Sequence, residues 1–404
     1  MRKGISPIVS TVLLILITVS AVYIVMNVAK PTVERAYEFG VINEAEQNMR
    51  LLDNLIREVA SEGTGSLRSV VLKVSDGNYR IVNTSGNFTG ALQFKIDLKH
   101  SPFDAPMLKR VGNLKYSAGM SSAGLVGYWN LNERNGTKAE DSSGYGNHGT
   151  LYNGSLSCSN PPLAEVGCPE WVDGKFGKAL SFDGVDDYVE VPNSFDWQKY
   201  ISNSFTISLW AFPRKYITTY PQNATYIFFH KNIKPGGNLS AYIIIYYSGS
   251  YKRFELGTRS TDTGEGIWPF PPTNSAPDLM RWYHIVWVWD YNSHKIYQDG
   301  KLIYQCDDKR TGKEMGFLGI YLAVSWGNRY GDLIIDEVRI YNRALSEEEI
   351  KENFNTKASN YQVLLEYSKI ILTGNLRIGK GTHKLCIEKI GELDNKPLIK
   401  IFSC

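Results

Sequence analysis

Hydrophobic residues make up 43% of the 404-residue chain and charged residues 21%, which excludes a disordered polypeptide and allows more than one folded domain. The formal net charge of +3 at pH 7 does not indicate a nucleic-acid partner, and we expect none. With 36 Gly and 25 Tyr the composition favours β-structure with many turns, and the six His include no H-x-x-x-H pair for a metal.

The chain begins with an apolar segment that is long enough to cross a membrane. Residues 5–28 carry no charge, and only Arg2 and Lys3 among the preceding residues are charged. As a helix this segment would be about 36 Å long, which exceeds the roughly 30 Å of a hydrocarbon core. The two positive charges predict a cytoplasmic N-terminus with the rest of the chain outside. A cleaved secretory signal ending near Ala21 or Ala29 is the alternative, but its apolar region is normally shorter.

An amphipathic helix is predicted to continue beyond Pro31, with a break near that proline. Glutamate and arginine side chains occupy its other faces, and the Gly63-Thr-Gly65 stretch should end it. Apolar residues recur along it at steps of three and four, at Val33, Tyr37, Val41, Ala45, Met49, Leu52, Ile56 and Val59.

The opening run Lys3-Gly4-Ile5-Ser6-Pro7-Ile8-Val9, followed by the apolar helix, resembles the N-terminus of archaeal type IV pilins. In that family a dedicated membrane enzyme, the prepilin peptidase, cuts just before the hydrophobic segment. The resemblance therefore implies cleavage between Gly4 and Ile5, so that residues 1–4 are a leader peptide.

The same resemblance implies that residues 5–62 are the transmembrane and amphipathic helix of a pilin. This helix would hold the subunit in the membrane and then pack against other pilin subunits in a filament. The fifth mature residue is Val9 where bacterial pilins have Glu, which suits the archaeal pattern. A plain single-span anchor is the alternative.

From about Leu125 the sequence changes to short apolar strands separated by Gly, Asn and Asp. The Asp299-Gly300 dipeptide predicts a two-residue hairpin turn, and Ser346 with Glu349 forms a capping box that opens a short helix. Many closely spaced strands with few helices predict a β-sandwich. The strands are predicted at Phe205–Phe212, Trp282–Trp289 (central and apolar on both faces), Lys295–Gln298, Lys301–Tyr304 and Ile334–Tyr341.

Five motifs in this region resemble the laminin-G-like, concanavalin A-like jelly-roll family. They are Gly124–Leu131, the Gly-rich Asp141–Gly149, Gly177–Val189, the hairpin at Asp299-Gly300 and the closing Ile335–Leu345. The resemblance covers about residues 122–355, with one departure at Gly327–Asp332, and places the domain at residues 122–357. It implies a jelly roll that binds glycans or protein ligands.

Many members of that family hold one Ca²⁺, which takes six to eight oxygen ligands. The resemblance implies ligands in the matching loops at Asp141, Asn147, Asp183 and Asp336. The alternative is that these Asp and Asn residues only shape turns.

We expect binding and no catalysis. The glucanase motif E-x-D-x-x-E is absent from the sequence, as are G-x-S-x-G, H-E-x-x-H and the P-loop. Asp336 and Glu337 are consecutive in a strand, so they should face opposite sides and form no acid/base pair. The ligand-binding residues are not assigned. Ser240–Tyr251 and Trp268–Pro272 are rich in aromatic rings that either contact sugars or pack internally.

The five cysteines contain no C-x-x-C motif, which argues against a zinc or thioredoxin-like site. Proximity in sequence suggests disulfides between Cys158 and Cys168 and between Cys386 and Cys404, each stabilising the fold by roughly 2–4 kcal/mol. Five reduced thiols are the alternative. Cys306 is expected to be a buried thiol.

The two ends of the chain are predicted to share one domain. Residues 63–121 and 358–404 both contain short strands, and neither range is long enough for a convincing core. We therefore expect a mainly β fold with one long N-terminal α-helix, in which a jelly-roll sandwich is inserted into a pilin-type β head. Ser117–Ser122 resembles the exposed loop tips that tolerate insertions. Three modules in series are the alternative.

These features predict a single-pass membrane protein of the cell surface or of a filament. Its expected role is that of a type IV pilus-like subunit, minor or at the tip, that displays a lectin-like jelly roll for adhesion to glycans or proteins. The alternative is a membrane-anchored carbohydrate-binding receptor that does not polymerise.

Overall fold

The structure is a computed structural model. It describes residues 7–83, 90–99, 107–159, 167–192, 204–216, 224–230, 239–248, 251–260, 266–267, 278–308, 319–325, 329–355 and 360–404. The predicted cleavage site at Gly4 and Ile5 lies outside these residues.

A long N-terminal helix consists of α1 (Pro7–Ile24), a π-helical turn (Val25–Ala29) and α2 (Lys30–Ser61). Among the described residues, this helix is long and apolar enough to cross a membrane. The π turn directly precedes Pro31, so the predicted break is a local change in hydrogen bonding and the helix continues through it. A third helix, α3 (Glu347–Phe354), begins at the predicted capping box of Ser346 and Glu349.

The buried stripe of α2 starts later than the sequence pattern predicts. Val33 is 68% exposed and Tyr37 is 48% exposed, although the apolar spacing includes both. The buried residues of α2 begin at Glu38, so these two lie outside the core that the helix shares with the head sheet, and the Tyr37 hydroxyl donates to the Ser75 carbonyl at 3.3 Å. From there the buried residues are Glu38, Val41, Ile42, Ala45, Met49, Leu52, Ile56, Val59 and Ala60.

The strands before the sandwich are β1 (Leu67–Val74), β2 (Asn78–Asn83), β3 (Gly90–Asp97), β4 (Met107–Val111) and β5 (Leu114–Ala118). The strands after it are β25 (Asn360–Leu365), β26 (Ile371–Thr373), β27 (Arg377–Ile378), β28 (Gly381–Leu393) and β29 (Lys396–Ser403). These ten strands form one sheet, the head sheet, in the order β1-β28-β29-β26-β3-β25-β5-β4, with β2 beside β3 and β27 beside β2. Strands from the two chain ends are therefore interleaved in this sheet, and α2 packs on the sheet through a shared apolar core.

The sandwich contains β6 (Leu125–Trp129), β7 (Lys138–Ala139), β8 (Gly149–Asn153), β9 (Leu156–Ser157), β10 (Glu170–Asp173), β11 (Lys178–Asp183), β12 (Asp187–Val191), β13 (Phe205–Pro213), β14 (Ala224–His230) and β15 (Leu239–Ser248). It continues with β16 (Tyr251–Ser260), β17 (Gly266–Ile267), β18 (Tyr283–Trp289), β19 (Ser293–Gln298), β20 (Lys301–Asp307), β21 (Ile320–Leu322), β22 (Val324–Ser325), β23 (Arg329–Tyr330) and β24 (Asp332–Tyr341).

Two sheets of the sandwich enclose its main core. Sheet I has the order β10-β11-β24-β13-β18-β19-β20 with β6 beside β24, and sheet II has the order β17-β16-β15-β14-β21-β12-β8-β7 with β9 beside β8. Strand β18 is buried along its whole length inside sheet I, as its mostly apolar sequence predicts, and this includes His284. Asp299 and Gly300 have positive φ angles of 51° and 74°, which match the predicted hairpin turn between β19 and β20.

The sandwich is packed tightly against the head at the point where the chain enters it. Ser117–Ser122 is buried, so the expectation of an exposed loop tip is wrong. The Ser121 amide donates to Asn353 Oδ1 at 3.3 Å, and its carbonyl accepts from the Tyr341 hydroxyl at 3.1 Å. The Arg343 guanidinium donates to Ser121 Oγ at 3.0 Å. These bonds satisfy polar groups that the packing of the two parts removes from water.

Candidate functional site

A group of three carboxylates lies in the turn between β11 and β12 of the sandwich. Asp183, Asp186 and Asp187 place carboxylate oxygens within 4.8 Å of one another. The turn is tight because Gly184 has a φ of 78°, where a side chain would be strained and would meet Asp332. Sheet pairing fixes both ends of the turn, since Asp183 ends one strand and Asp187 begins the next.

The acidic group is held by few hydrogen bonds. Asp183 Oδ1 accepts from the Val185 amide at 2.8 Å, and Asp187 Oδ2 accepts from the Asp183 amide at 3.2 Å. Asp187 is only 4% exposed, and its Oδ1 has no hydrogen-bond partner within the part of the chain that the structure describes. Burial, followed by the charge of Asp183, raises the pKa of Asp187 to about 7. Burial also raises the pKa of Asp186.

This arrangement fits a hard divalent cation. Ca²⁺ takes carboxylate and carbonyl oxygens at about 2.3–2.6 Å, and the three carboxylates are close enough to share one ion. A cation would also supply the partner that Asp187 Oδ1 lacks, and it would relieve the repulsion that raises the pKa of this carboxyl. The acidic group could therefore bind a metal ion.

Of the four predicted calcium ligands, only Asp183 belongs to this group. Asp183 lies opposite Asp332 in the pairing of β11 with β24, four residues from Asp336. At about 3.3 Å per residue this separates the two positions by roughly 13 Å along the strand, too far for one ion. The four predicted ligands therefore do not come together.

Asp141 and Asn147 instead organise the Gly-rich loop. The Asp141 carboxylate accepts from the amides of Tyr128, Ser143 and Asn147 at 2.8–3.0 Å and from the Ser143 hydroxyl. The Asn147 side chain donates to the Val126 carbonyl at 3.1 Å. Because the Asp141 oxygens are already satisfied, this residue shapes the turn, which is the alternative that the sequence left open.

Asp336 and Glu337 lie on the same face of sheet I, so the expectation that they face opposite sides is wrong. Glu337 has a φ of 55°, and the pairing of β13 with β24 shifts register there. Because of this bulge, both Ile335 and Val338 face the sandwich core. The carboxyls of Asp336 and Glu337 between them lie on the other face of sheet I, away from that core.

Both of these carboxyls are buried. Asp336 accepts from the Phe176 amide at 2.9 Å, and Glu337 is paired with Arg339 and accepts from the Tyr128 hydroxyl at 2.9 Å. Burial, with the Glu337 charge second, raises the pKa of Asp336 to about 8, and burial raises the pKa of Glu337. Since Glu337 is 1% exposed and Asp336 is 0% exposed, a substrate does not reach them in this conformation.

Both expected disulfide pairs are present in the structure. Cys158 and Cys168 are joined, as are Cys386 and Cys404. Cys306 belongs to neither bridge and is half-buried, so the expectation of a buried thiol is wrong. It lies on β20, which among the described strands pairs with β19 alone and forms one edge of sheet I.

Sequence reasoning missed Asp186 and Asp187 as companions of Asp183. Their signal was the closely spaced Asp-Gly-Val-Asp-Asp string, in which a tight turn brings the first carboxyl back to the last two. Of the two aromatic segments considered for sugar contact, Ser240–Tyr251 lies largely on β15, where Ile243 and Ile245 face the core. Trp268–Pro272 lies outside the described residues.

The sequence of residues 183–351 matches the family model described as the concanavalin A-like lectin/glucanases superfamily. This match covers less than half of the chain and includes the acidic group. A search of curated proteins finds no match.

Solved structures with a similar fold include domain 4 of AbnA, a GH43 extracellular arabinanase from Geobacillus stearothermophilus, in complex with arabinotriose. It is 23% identical, with a TM-score of 0.43, covering 57% of this chain and 98% of that one. A mutant Trypanosoma rangeli sialidase displaying trans-sialidase activity is 13% identical (TM-score 0.40, 68% and 52% covered). The binding domain of Paraclostridial Mosquitocidal Protein 1 is 20% identical (TM-score 0.40, 58% and 52% covered). The chain thus spans about half the length of the last two.

The motifs, the two facing sheets and the family match agree on the middle of the chain. The sandwich is a laminin-G-like, concanavalin A-like jelly-roll domain, carried on a chain whose N-terminal helix is long and apolar enough to anchor it in a membrane.

Proposed function

We propose that the chain is a cell-surface, type IV pilus-like subunit, minor or at the filament tip, whose jelly roll binds glycans or proteins outside the cell. The observation that carries this proposal is the packing of α2 on a sheet built from both chain ends. This leaves the apolar α1 projecting beyond the head, with side chains such as Leu14 and Tyr23 exposed for lipid or for other helices.

This packing supports the proposed division into a head and an inserted sandwich, and the resemblance to pilins supports the leader. Residues 1–4 are the leader, residues 5–62 are the pilin-type helix, and residues 63–121 with 358–404 form the head, into which residues 122–357 are inserted. The supporting geometry is that β5 and β25, which flank the insertion, are paired neighbours with Ala118 opposite Tyr361. The insertion therefore leaves and re-enters the head at one place.

The proposed activity is binding, with Ca²⁺ held by Asp183, Asp186 and Asp187 as an aid to ligand contact. Two arguments support binding over catalysis. The carboxyl pair Asp336 and Glu337 is buried beneath structural partners, and the sequence lacks the carboxylate motif of glucanases. The proposed partners are other subunits through the N-terminal helix, the membrane, the prepilin peptidase and an external ligand.

N-terminal sequencing of the native protein, with sheared-filament and membrane fractions kept apart, tests this proposal. A chain that starts at Ile5 in the sheared fraction supports the filament subunit. A Gly4→Trp variant should then stay unprocessed, while a Lys3→Arg variant, which keeps the charge, should be processed normally. A wild-type chain that retains Met1 to Gly4 and occurs only in the membrane would contradict the proposal and favour a membrane-anchored receptor that does not polymerise.

A further inference from the structure

A cluster of tyrosines covers part of the outward face of sheet II. Tyr152, Tyr188 and Tyr321 lie on the neighbouring strands β8, β12 and β21. Side chains alternate between the two faces of a strand, so these rings point away from the sandwich core. Their chain neighbours that face the core are Leu151, Val189, Ile320 and Leu322.

The rings of this cluster form a continuous group. Tyr152 and Tyr188 are direct cross-strand neighbours and stack with centroids 4.9 Å apart and planes 6° apart. Tyr188 also lies 6.4 Å from Tyr321 and 6.4 Å from Tyr330, at tilts of 41° and 37°. The first three residues are half-buried, so part of each remains accessible to solvent.

One carboxylate lies among the hydroxyls of the cluster. Glu190 is directly opposite Tyr321 in the sheet and accepts from its hydroxyl at 2.9 Å. Phenols have an ordinary pKa of about 10 and are neutral at pH 7, so these hydroxyls act as hydrogen-bond donors and acceptors beside the Glu190 carboxylate. We call Tyr152, Tyr188, Tyr321, Tyr330 and Glu190 the tyrosine surface.

The tyrosine surface adjoins the acidic group along the chain and in space. Tyr188 directly follows Asp187, and the amide of Gly154, two residues after Tyr152, donates to the Asp186 carbonyl at 2.8 Å. Within the surface itself, Glu190 accepts from the Tyr321 hydroxyl, whether or not the acidic group beside it holds a cation. A carboxylate at this position disfavours an anionic ligand and favours hydroxyl groups, which donate to carboxylates, as the polar groups of a partner.

We propose that the tyrosine surface is the contact site for a neutral saccharide, with the aromatic rings packing against the apolar faces of a sugar and Glu190 accepting from its hydroxyls. Aromatic rings with a few convergent polar groups are the composition expected of a small-ligand site. This inference rests on the proposed glycan-binding function and adds the ligand class and the residues.

Binding of the full-length chain to a printed array of neutral, sialylated and sulfated glycans tests the inference. The chain is kept in micelles of a long-chain alkyl dimethylamine-oxide detergent, because sugar-based detergents would compete for the site. Four variants are compared with the wild type: Tyr188→Ala, Tyr321→Phe, Glu190→Gln and the control Tyr304→Ala. Tyr304 is half-buried on β20 of sheet I, away from the tyrosine surface. Thermal melts establish that each variant is folded, and Tyr321→Phe keeps its ring, so it should remain folded even if Tyr188→Ala does not.

We expect neutral glycans to bind the wild type. Glu190→Gln and Tyr188→Ala should weaken that binding at least about 10-fold and Tyr321→Phe about 3-fold, while Tyr304→Ala should stay within about 2-fold. Neutral-glycan binding that all folded variants retain would overturn the tyrosine surface while leaving glycan binding intact. A preference for sialylated or sulfated glycans would overturn the ligand class. No binding to any glycan would overturn both this inference and the glycan-binding part of the proposed function.

Discussion

Three carboxylates that lie within 4.8 Å of one another repel unless a proton or a cation is placed among them. In the turn between β11 and β12 this cost falls mainly on Asp187, which is buried and has one oxygen without a partner. Asp141, by contrast, is equally hidden but receives four hydrogen bonds and behaves as a structural acceptor. At the scale of single residues, the number of hydrogen bonds that a carboxylate accepts distinguishes Asp187, the candidate metal ligand, from Asp141, which shapes a turn.

Asp187→Asn should reduce the pH dependence of stability in calcium-free buffer. The folded pKa of Asp187 is about 7 and the unfolded value is about 3.9, so the folded chain binds more protons between these values. The wild type should therefore lose stability as pH rises from about 4 to about 7, whereas the asparagine cannot ionise. Melting temperatures at pH 5 and pH 8 with a chelator measure this difference.

The exposed Asp307→Asn on β20 is the control for this experiment and should keep the wild-type slope. Added Ca²⁺ should raise the melting temperature of the wild type at pH 8 more than that of Asp187→Asn. An equal change of melting temperature between pH 5 and pH 8 for the wild type and Asp187→Asn would contradict the conclusion that ionisation of the buried Asp187 destabilises the fold.

At the scale of elements, one helix meets two different surroundings. The sequence pattern of α2 is amphipathic from Val33 onward, but only the part from Glu38 lies against the head sheet. The periodicity of a helix indicates which residues share a face, and it does not indicate where along the helix the partner sheet begins. The exposed apolar residues before Glu38 continue the surface of α1, which suits contact with lipid or with other helices.

Met49→Ala should destabilise the head by about 2–5 kcal/mol, while Val33→Ala on the same helix should change its stability by less than about 0.5 kcal/mol. Met49 is 0% exposed within the core shared with the head sheet, so its truncation leaves a cavity. Denaturant unfolding in detergent micelles, followed by far-UV circular dichroism, measures both variants. Similar losses for the two would show that the packed face of α2 is longer than the structure places it.

At the scale of the whole molecule, strands from the two ends of the chain complete one sheet, and the inserted sandwich does not interrupt that sheet. β3 lies between β25 and β26, and β1 lies beside β28, so five strands from each end are required for one sheet. The sandwich has its own core and is joined to the head by a partly buried junction, where the Arg343 guanidinium donates to both Ser121 Oγ and Glu349. The junction predicts that the sandwich and the head move as one unit.

Replacing residues 119–360 with Asn-Gly should leave a folded head. Ala118 and Tyr361 are direct partners in antiparallel strands, so a two-residue turn can join β5 to β25 as a hairpin. We expect a cooperative melt in detergent and an intact disulfide between Cys386 and Cys404. A chain truncated after Asn355 is the matched control and should lose the head transition while keeping that of the sandwich. A head transition that survives this truncation would contradict the shared sheet and favour modules in series.

The sequence correctly predicted those structural features whose physical cause lies in residues that are neighbours along the chain. Four such features were predictable: the long apolar segment, the capping box at Ser346, the Asp299-Gly300 turn and the mostly apolar run of β18. The reason is that propensity, turn chemistry and burial on both faces leave direct signatures in sequence. The family motifs likewise identified the jelly roll that the family match supports.

The sequence by itself thus determined the long N-terminal helix, the short helix after Ser346, several of the strands and, through the family motifs, the jelly roll in the middle of the chain. Only the tertiary structure decided which carboxylates meet. One bulged residue turned Glu337 onto the face of Asp336, and strand register kept Asp183 apart from Asp336 while a tight turn joined it to Asp186 and Asp187. The physical reason is that a site is made by register and by contacts between residues far apart in sequence, which a single strand's pattern does not encode.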